Sequence, residues 1–412
     1  MNEVRVSRGE KARLSRVDGE LRVGREAQIE GLGGLPVVVT GGAYFDGDAR
    51  LRCDFESGSI TSMDGSLRAD GDVTVGGKID VARHVNVAGS IQAKEVDVGG
   101  SLRARALSFD WARTGGPVIV IETLRGGSLQ AAGKVQVGGA VELESLEFAG
   151  KAVVGGGSVR GRMDVKGSLI AEGKLTFGDL AVNGNCSLSA GCKGRSVSMF
   201  GRLDSAGDLE CESVQLFGKG DIDGCLRAKK VQVDGKLNVA NSIQATDGMD
   251  AYGSTRALDF AGRTLNVGGG FEASKAIVDG DADLMGQIRT SAGLKAKRIT
   301  VRRGSTVTGS LVAEAVEIGR SGNVVSSFQK EWMGQLAALR LIGRMTQVED
   351  IDAVEVRLGA YSKARRVSAK RVILEEGSIV ASVEYADELK MGSGVHVTHP
   401  PYKVDSLRSP QL

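Results

Sequence analysis

Apolar residues return every six positions between residues 67 and 91, at Leu67, Val73, Ile79, Val85 and Ile91. Each of them opens a unit of the form apolar–variable–apolar, such as L-R-A, V-T-V or I-D-V. In an extended strand alternate side chains face opposite ways, so the outer residues of a unit face inward and the middle residue faces outward. The intervening residues often include glycine, which suits tight corners. The pattern predicts short strands joined by corners.

The chain also repeats over a longer period than six residues. The segment 226–228 (L-R-A) returns at 243–245 (I-Q-A), and 294–296 (L-K-A) returns at 311–313 (L-V-A). Near the C-terminus the related segments begin at Ile351, Val367 and Val383. These spacings predict an all-β fold, a three-sided β-solenoid (β-helix) with about 16–18 residues per coil, in which each coil buries its apolar side chains against its neighbours.

The solenoid is expected over residues 1–326 and again over 336–398. Two similar segments, NVAGSIQA at 86–93 and NVANSIQA at 238–245, indicate an internal duplication at an offset of about 152, although similar coils could also converge by chance. Between the two stretches, 327–335 (SFQKEWMGQ) has large apolar residues at helical spacing, which is typical of an irregular insertion or short helix but also compatible with a distorted coil.

Three further segments interrupt the beat. Residues 32–46 contain a continuous apolar run and a proline, and residues 110–117 (DWARTGGP) resemble a protruding loop. The tail 399–412 contains three of the five prolines of the chain and is expected to be extended or disordered.

Composition agrees with a narrow stacked core. The chain has 60 glycines and only 4% aromatic residues, and its 53 basic and 51 acidic residues leave a net charge of +2. The outward middle positions carry both signs, for example Arg68, Asp80, Arg103 and Glu142. Such an interspersed surface predicts no dedicated nucleic-acid interface.

The sequence also restricts location and redox chemistry. No segment reaches the ~20 apolar residues of a membrane span, and residues 1–16 lack the apolar core of a secretory signal, so we expect a cytoplasmic protein. Membrane attachment by other means stays open. The five cysteines, at positions 53, 186, 192, 211 and 225, show no CxxC spacing and are interpreted as free, buried thiols.

No catalytic, cofactor-binding or metal site is predicted, and the chain is expected not to be an enzyme. His84 lies in the repeat at a corner or outward position, and His396 and His399 form an HxxH near the tail, which we interpret as an exposed pair rather than a metal site. Glycine-rich stretches such as 154–157 supply corners and lack the long helix that a nucleotide loop precedes.

Three segments resemble the bactofilins, the polymer-forming cytoskeletal proteins of bacteria and archaea, and in particular long archaeal members. They are 72–104 (DVTVGGKIDVARHVNVAGSIQAKEVDVGGSLRA), 309–322 (GSLVAEAVEIGRSG) and 367–394 (VSAKRVILEEGSIVASVEYADELKMGSG). The resemblance implies a right-handed, three-sided β-helix that joins end to end into nonpolar, nucleotide-independent filaments, with itself as principal partner and no cofactor. This chain departs from the family in carrying the repeat much further and in lacking an evident apolar N-terminal tail.

A physical argument for assembly stands beside the resemblance. The first and last coils of a solenoid expose unpaired backbone groups and one apolar face, which either are capped or template another chain. We therefore predict a polymerisation interface made of Val4, Val6, Leu14, Leu389, Met391, Val395 and Val397. The N-terminal coil is expected to be the open end, and the proline tail to cap or regulate the other.

These observations favour a structural protein that assembles end to end into filaments. The alternatives are a monomeric solenoid that displays binding surfaces or spaces partners, and a β-helix enzyme related to the hexapeptide acyltransferases, for which His84 is the one candidate within the main repeat. An extracellular adhesin is a further alternative, against which the missing signal speaks.

Overall fold

The computed structural model describes residues 2–320 and 345–407. The chain divides into two compact units, Met1–Leu203 and Asp204–Leu412, and the division falls within one strand. Over the described residues, every regular element is a β-strand except one 3₁₀ turn at Leu32–Gly34. The predicted insertion 327–335 lies outside the described residues, as do 336–344.

The first unit and its boundary strand contain the following elements: β1 (Asn2–Val6), β2 (Lys11–Leu14), β3 (Arg16–Val17), β4 (Gly19–Val23), β5 (Gln28–Gly31), β6 (Val37–Phe45), β7 (Ala49–Arg52), β8 (Phe55–Ser62), β9 (Leu67–Ala69), β10 (Val73–Val75), β11 (Lys78–Val81), β12 (Val85–Val87), β13 (Ser90–Gln92), β14 (Glu95–Val98), β15 (Leu102–Ala104), β16 (Ala106–Thr114), β17 (Val118–Val120), β18 (Leu124–Ala131), β19 (Val135–Val137), β20 (Val141–Phe148), β21 (Lys151–Val154), β22 (Gly157–Val165), β23 (Ser168–Ala171), β24 (Leu175–Leu188) and β25 (Cys192–Ser205).

The second unit continues with these elements: β26 (Leu209–Leu216), β27 (Lys219–Ile222), β28 (Leu226–Val233), β29 (Lys236–Val239), β30 (Ser242–Ala251), β31 (Ser254–Arg256), β32 (Asp259–Gly262), β33 (Leu265–Val267), β34 (Gly270–Ala273), β35 (Lys275–Val278), β36 (Asp281–Leu284), β37 (Gln287–Thr290), β38 (Leu294–Arg302), β39 (Thr306–Arg320), β40 (Thr346–Leu358), β41 (Ser362–Leu374), β42 (Ile379–Met391), β43 (His396–Val397) and β44 (Tyr402–Lys403).

The strands stack in parallel, each on the strand one coil earlier. Leu67 in β9 pairs with Val85 in β12, and Val73 in β10 pairs with Ile91 in β13, so three consecutive units of the six-residue beat make one coil. The prediction of an all-β, three-sided solenoid is thereby confirmed. The longer repeats also fall into register, because Leu226 pairs with Ile243.

The core of each unit is the stack of inward-facing side chains. In the three-residue strands the two outer positions are buried and the middle one is exposed, as in β9, β10 and β12. These interior positions are filled mainly by Val, Leu, Ile and Ala, with single larger rings such as Phe55 and Phe148. A narrow interior of this kind explains why aromatic residues are scarce.

One coil near the N-terminus is longer than the coils on either side of it. Gln28 pairs with Arg50 and Leu21 pairs with Ala43, a step of 22 residues, whereas Asn2 pairs with Gly19, a step of 17. The 3₁₀ turn accounts for the difference, since it lies between the paired segments. The predicted break at 32–46 is therefore a five-residue insertion at a corner, followed by the regular strand β6.

The predicted loop at 110–117 is wrong for most of its length. Residues up to Thr114 belong to β16, in which Trp111 pairs with Glu95 on one side and with Ser128 on the other. Ala112 and Thr114 occupy interior positions and are almost fully buried. Because these interior residues are small, the alternation of apolar and polar positions cannot be recognised in the sequence here. Only the segment 115–117 forms a corner.

The two similar octapeptides adopt the same local structure within their own units. Residues 86–93 run through β12 and β13, and residues 238–245 run from β29 into β30, in each case two strands around one corner. The internal duplication remains a prediction.

Candidate assembly interfaces at the terminal coils

The first coil presents an unpaired edge. Its three sides are β1, β2 and β3, which pair with β4, β5 and β6 respectively. Over the described ranges 2–320 and 345–407, none of these three strands has a neighbour on its other edge. Their backbone N–H and C=O groups on that edge are free to extend the ladder into another chain.

The interior side chains of the first coil are only partly covered. Val4 lies above Leu21, which is fully buried, but Val4 itself is half-buried. Ala12 and Leu14 of β2 are half-buried in the same way. The coil thus exposes one layer of the apolar core, and a further coil stacked on it would remove that layer from water.

Val6 differs from the other predicted residues at this end. It pairs with Val23 and is itself buried, at 5% exposure. Val6 therefore belongs to the existing core and offers little surface to a partner. The prediction for Val4 and Leu14 fits the geometry of this edge, whereas Val6 contributes chiefly to folding.

Ion pairs surround the rim of the first coil. Glu3 accepts a hydrogen bond from Arg5 at 2.7 Å and lies 2.9 Å from Arg22 of the next coil. The Arg5 hydrogen bond, assisted by Arg22, lowers the pKa of the Glu3 carboxyl. Arg13 pairs with Glu30 in the same fashion at 3.3 Å. Outward charges thus surround the half-buried apolar layer.

Two exposed leucines lie in the turn that follows the strand paired with β2. Leu14 pairs with Gly31, and the 3₁₀ turn begins at the next residue, so the turn lies beside the first coil. Leu32 and Leu35 of this insertion are 55% and 62% exposed. The insertion was predicted as a break in the repeat and not as part of the interface. Its apolar residues in a tight, glycine-containing turn were the available signal.

The last full coil is β42, which carries all three sides in one continuous strand. It pairs along its length with β41, including Val367 with Val383 and Leu374 with Met391. On its other edge two short strands cover two sides: β43 pairs with residues 379–380, and β44 pairs with residues 384–385. The tail therefore closes most of the C-terminal coil.

The tail follows the path of a further coil. Backbone N–H groups of Thr398, His399 and Val404 donate to carbonyls of β42, each at 2.9 Å. Pro400 and Pro401 stand between these contacts, where a corner needs no ladder donor. The predicted end of the solenoid at residue 398 is thus too early, because pairing continues to Lys403. The expectation that the tail is extended is confirmed for β44.

The third side of β42 remains open among the described residues. Leu389 is half-buried and Met391 is 50% exposed, and both lie on the segment that neither β43 nor β44 covers. Val395 and Val397 lie on the tail itself, half-buried against the coil beneath. Of the four C-terminal residues of the predicted interface, two therefore lie on the uncovered side of β42 and two lie on the tail that covers the other sides.

The histidines and cysteines take structural positions. The ring Nδ1 of His84 accepts the backbone N–H of Ser101 at 3.1 Å, which joins corners of successive coils. His396 and His399 lie on the tail with exposed side chains. All five cysteines are thiols outside disulfides, with Cys53 and Cys225 half-buried and the others buried. Burial raises the pKa of Cys53 to about 11.

The second unit has a broad groove on its surface. It has a volume of about 740 Å³ and is lined by outward residues of β29, β31, β34 and β37, including Lys236, Arg256, Glu272 and Arg289. Arg256 pairs with Glu272 at 2.8 Å. Cations and carboxylates balance here, and across residues 2–320 and 345–407 no cluster of three or more His, Cys, Asp or Glu side chains could hold a metal ion.

Comparison with family models, with curated proteins and with solved structures found no match. Within the described part of the chain, no helix is long and apolar enough to cross a membrane. The features of the structure that bear on function are therefore the terminal coils and the outward faces of the strands.

Proposed function

We propose that this protein is a non-enzymatic, bactofilin-like scaffold that assembles through its terminal coils without a nucleotide. The observation that supports the proposal best is the first coil, whose three strands have one unpaired edge and whose interior residues Val4 and Leu14 are half-buried. Self-association would complete the ladder and bury this layer. A cytoplasmic location belongs to the same proposal.

The rim charges favour contact between unlike ends of two copies. Residues 2–18 contain five basic and three acidic side chains, whereas residues 379–407 contain two basic and four acidic ones. Opposite net charges accelerate encounter and suppress like-end contacts. Assembly of this kind should weaken in high salt, and it would make filaments polar, in contrast to the nonpolar filaments that the resemblance implies.

The covered C-terminal coil supports a second candidate function. Because β43 and β44 occupy two of its three sides, this end could remain capped and the protein could act as a monomer or an N-terminal dimer that spaces its partners. The two functions differ in the size of the assembly, so one experiment distinguishes them.

The experiment compares wild-type protein with Val4→Lys in sedimentation velocity and negative-stain electron microscopy over a range of concentrations, without nucleotide. In the free chain the lysine reaches solvent, but a stacked coil would bury its charge without a partner. Such burial costs several kcal/mol, so we expect association to weaken by about 100-fold or more.

Ser15→Lys is the matched control, because it adds the same charge to the same coil at an exposed corner position. Circular dichroism verifies that both variants fold. Wild-type protein that stays monomeric at every concentration, or a Val4→Lys variant that assembles normally, would contradict assembly through the N-terminal coil. Wild-type particles that stop at dimers would favour the capped scaffold.

A further inference from the structure

One side of the first unit carries a long row of outward side chains without a carboxylate. The row is formed by residues that pair in register on successive coils. We call it the acid-free row, and its members are Lys11, Gln28, Arg50, Arg68, Asn86, Arg103, Ile119, Gln136, Val153, Ile170 and Ser187. Stacked strands place such neighbours ~4.8 Å apart.

The cations of this side are exposed and largely unpaired. Arg50 pairs with Asp70 at 3.0 Å, but Arg68 and Arg103 have no ion-pair partner among residues 2–320 and 345–407. Lys134 and Lys151, which lie next to the row at the starts of β19 and β21, are likewise exposed and unpaired within these ranges. Lys11 is also exposed and unpaired in the same ranges, so five cations on this side are available to an anionic partner.

Apolar side chains follow the cations along the same row. Ile119, Val153 and Ile170 occupy outward positions that are polar or charged in most other strands, and each is half-buried by its neighbours. Ile121, just after β17, is 55% exposed. The side thus combines unpaired cations with projecting aliphatic groups.

A second side of the same unit carries a mainly acidic row in its later coils. This row runs Asp80, Asp97, Arg113, Gln130, Glu147 and Asp164, in register from coil to coil. On the earlier coils the same row continues as Thr61, Tyr44, Arg22 and Arg5. In the coils from Asp80 to Asp164 the two rows therefore differ in charge, although the net charge of the chain is close to neutral. Both signs occur on the surface of this unit, as expected, but the acid-free row carries only one of them.

We propose that the acid-free row, with Lys134, Lys151 and Ile121 beside it, binds the surface of a bilayer that contains anionic lipids. Arginine and lysine attract lipid phosphates, and the isoleucines can enter the boundary between headgroups and acyl chains. The proposal does not depend on the assembly of the terminal coils.

Two other classes of partner fit the side less well. The acidic row of a second copy would match Arg68 and Arg103 but would bring Glu147 and Asp164 against Val153 and Ile170. A nucleic acid would neutralise the cations but would leave the aliphatic side chains without a partner, since phosphate contacts come from basic and polar groups. The combination favours a lipid surface.

The test measures binding of the full-length protein to sedimented vesicles of phosphatidylcholine, with and without phosphatidylglycerol. We expect binding only where phosphatidylglycerol is present, and weaker binding in high salt. The double variant Arg68→Glu/Arg103→Glu should reduce the partition coefficient roughly 25-fold or more, because each cation near such a surface contributes about fivefold.

Arg113→Glu is the matched control for charge. Arg113 is an exposed arginine at the middle of a strand, has no ion-pair partner in the described ranges, and lies on the acidic side. It should leave vesicle binding within about twofold, because screening limits its influence on a distant face to a small change. An equal loss from Arg113→Glu and from the double variant would show that overall charge, and not this side, controls binding.

A second pair of variants tests the apolar part. Ile119→Thr/Ile170→Thr keeps branched, strand-compatible side chains and should lower binding several-fold, since each isoleucine buried in the boundary contributes through its apolar area. Ile277→Thr, at a partly exposed outward isoleucine of β35, should have no effect. Insensitivity to both would mean that the isoleucines do not enter the lipid and would overturn the proposed binding mode.

Two outcomes would overturn the proposal as a whole. One is the absence of binding to phosphatidylglycerol vesicles at low salt by wild-type protein that is folded. The other is tight binding of a single-stranded DNA oligonucleotide with none to vesicles, which would assign the row to nucleic acid. Sedimentation of each variant without vesicles shows whether any change in binding follows from altered assembly.

Discussion

At the scale of single residues, ion pairs between successive coils hold the outward faces together. Asp179 in β24 accepts hydrogen bonds from Arg195 at 2.9 Å and from the hydroxyl of Ser196 at 2.7 Å, both in β25. These bonds, led by Arg195, lower the pKa of Asp179 to about 2. Such pairs are hard to predict from sequence, because many charges in a repeat stand one coil apart and side-chain direction decides which of them meet.

The depressed pKa makes a prediction about acid stability. A carboxyl group whose folded pKa is lowered stabilises the fold above its ordinary value of 3.8, and this contribution disappears as the pH falls towards 2. Asp179→Asn should therefore cost about 1 kcal/mol at neutral pH, after allowance for solvent screening of a side chain that is 37% exposed. The difference from wild type should vanish near pH 2.

Thermal unfolding followed by circular dichroism between neutral pH and pH 2 measures this difference. Asp110→Asn provides the control, since Asp110 is exposed and has no side-chain partner among the described residues. A gap between Asp179→Asn and wild type that stays constant down to pH 2 would show that the carboxylate charge is not what stabilises β24 and β25.

At the scale of strands, the spacing of apolar residues was sufficient to predict the register. The repeats starting at Leu294 and Leu311 pair as the 17-residue step requires, and those at Ile351, Val367 and Val383 pair at steps of 16. The failures have a common cause. In β16, and again in the tail at β44, interior or ladder positions are held by residues that carry little hydrophobic signal, so periodicity alone could not reveal the strands.

The tail makes a prediction at the same scale. Removal of residues 395–412 deletes β43 and β44 and uncovers the edge of β42 above Val380 and Val383, which are now almost fully buried. A newly unpaired, apolar coil should associate with other copies. We therefore expect sedimentation velocity to show larger species than wild type at equal concentration.

Removal of residues 408–412 alone is the matched control, because it retains every described contact of the tail. If the longer truncation sediments like wild type while remaining folded, the tail does not act as a cap. Loss of folding in the longer truncation would instead show that the tail completes the last coil of the core.

At the scale of the molecule, the sequence predicts the stack but not the chemistry of its sides. Consecutive outward residues such as Arg68, Thr74 and Asp80 belong to three different sides. Any continuous stretch of sequence therefore mixes the charges of all three sides. The acid-free row appears only when every third strand is compared. For the same reason, the predicted interface includes Val4 and Leu14 near the start of the chain but not the exposed Leu32, which follows Gly31, the partner of Leu14.

The last prediction concerns how stability is distributed. In a stacked repeat each coil contacts only its neighbours, so stability is approximately a sum over local contacts and does not require the whole chain. The units Met1–Leu203 and Asp204–Leu412 should each fold when expressed alone. We expect β-rich circular dichroism spectra and cooperative thermal transitions from both fragments.

Size-exclusion chromatography over a range of concentrations shows whether either fragment associates with other copies of itself. Full-length protein carried through the same purification is the reference. An unfolded fragment 1–203 beside a folded full-length chain would show that the stack is stabilised only as a whole, and that contacts between nearest coils do not account for its stability.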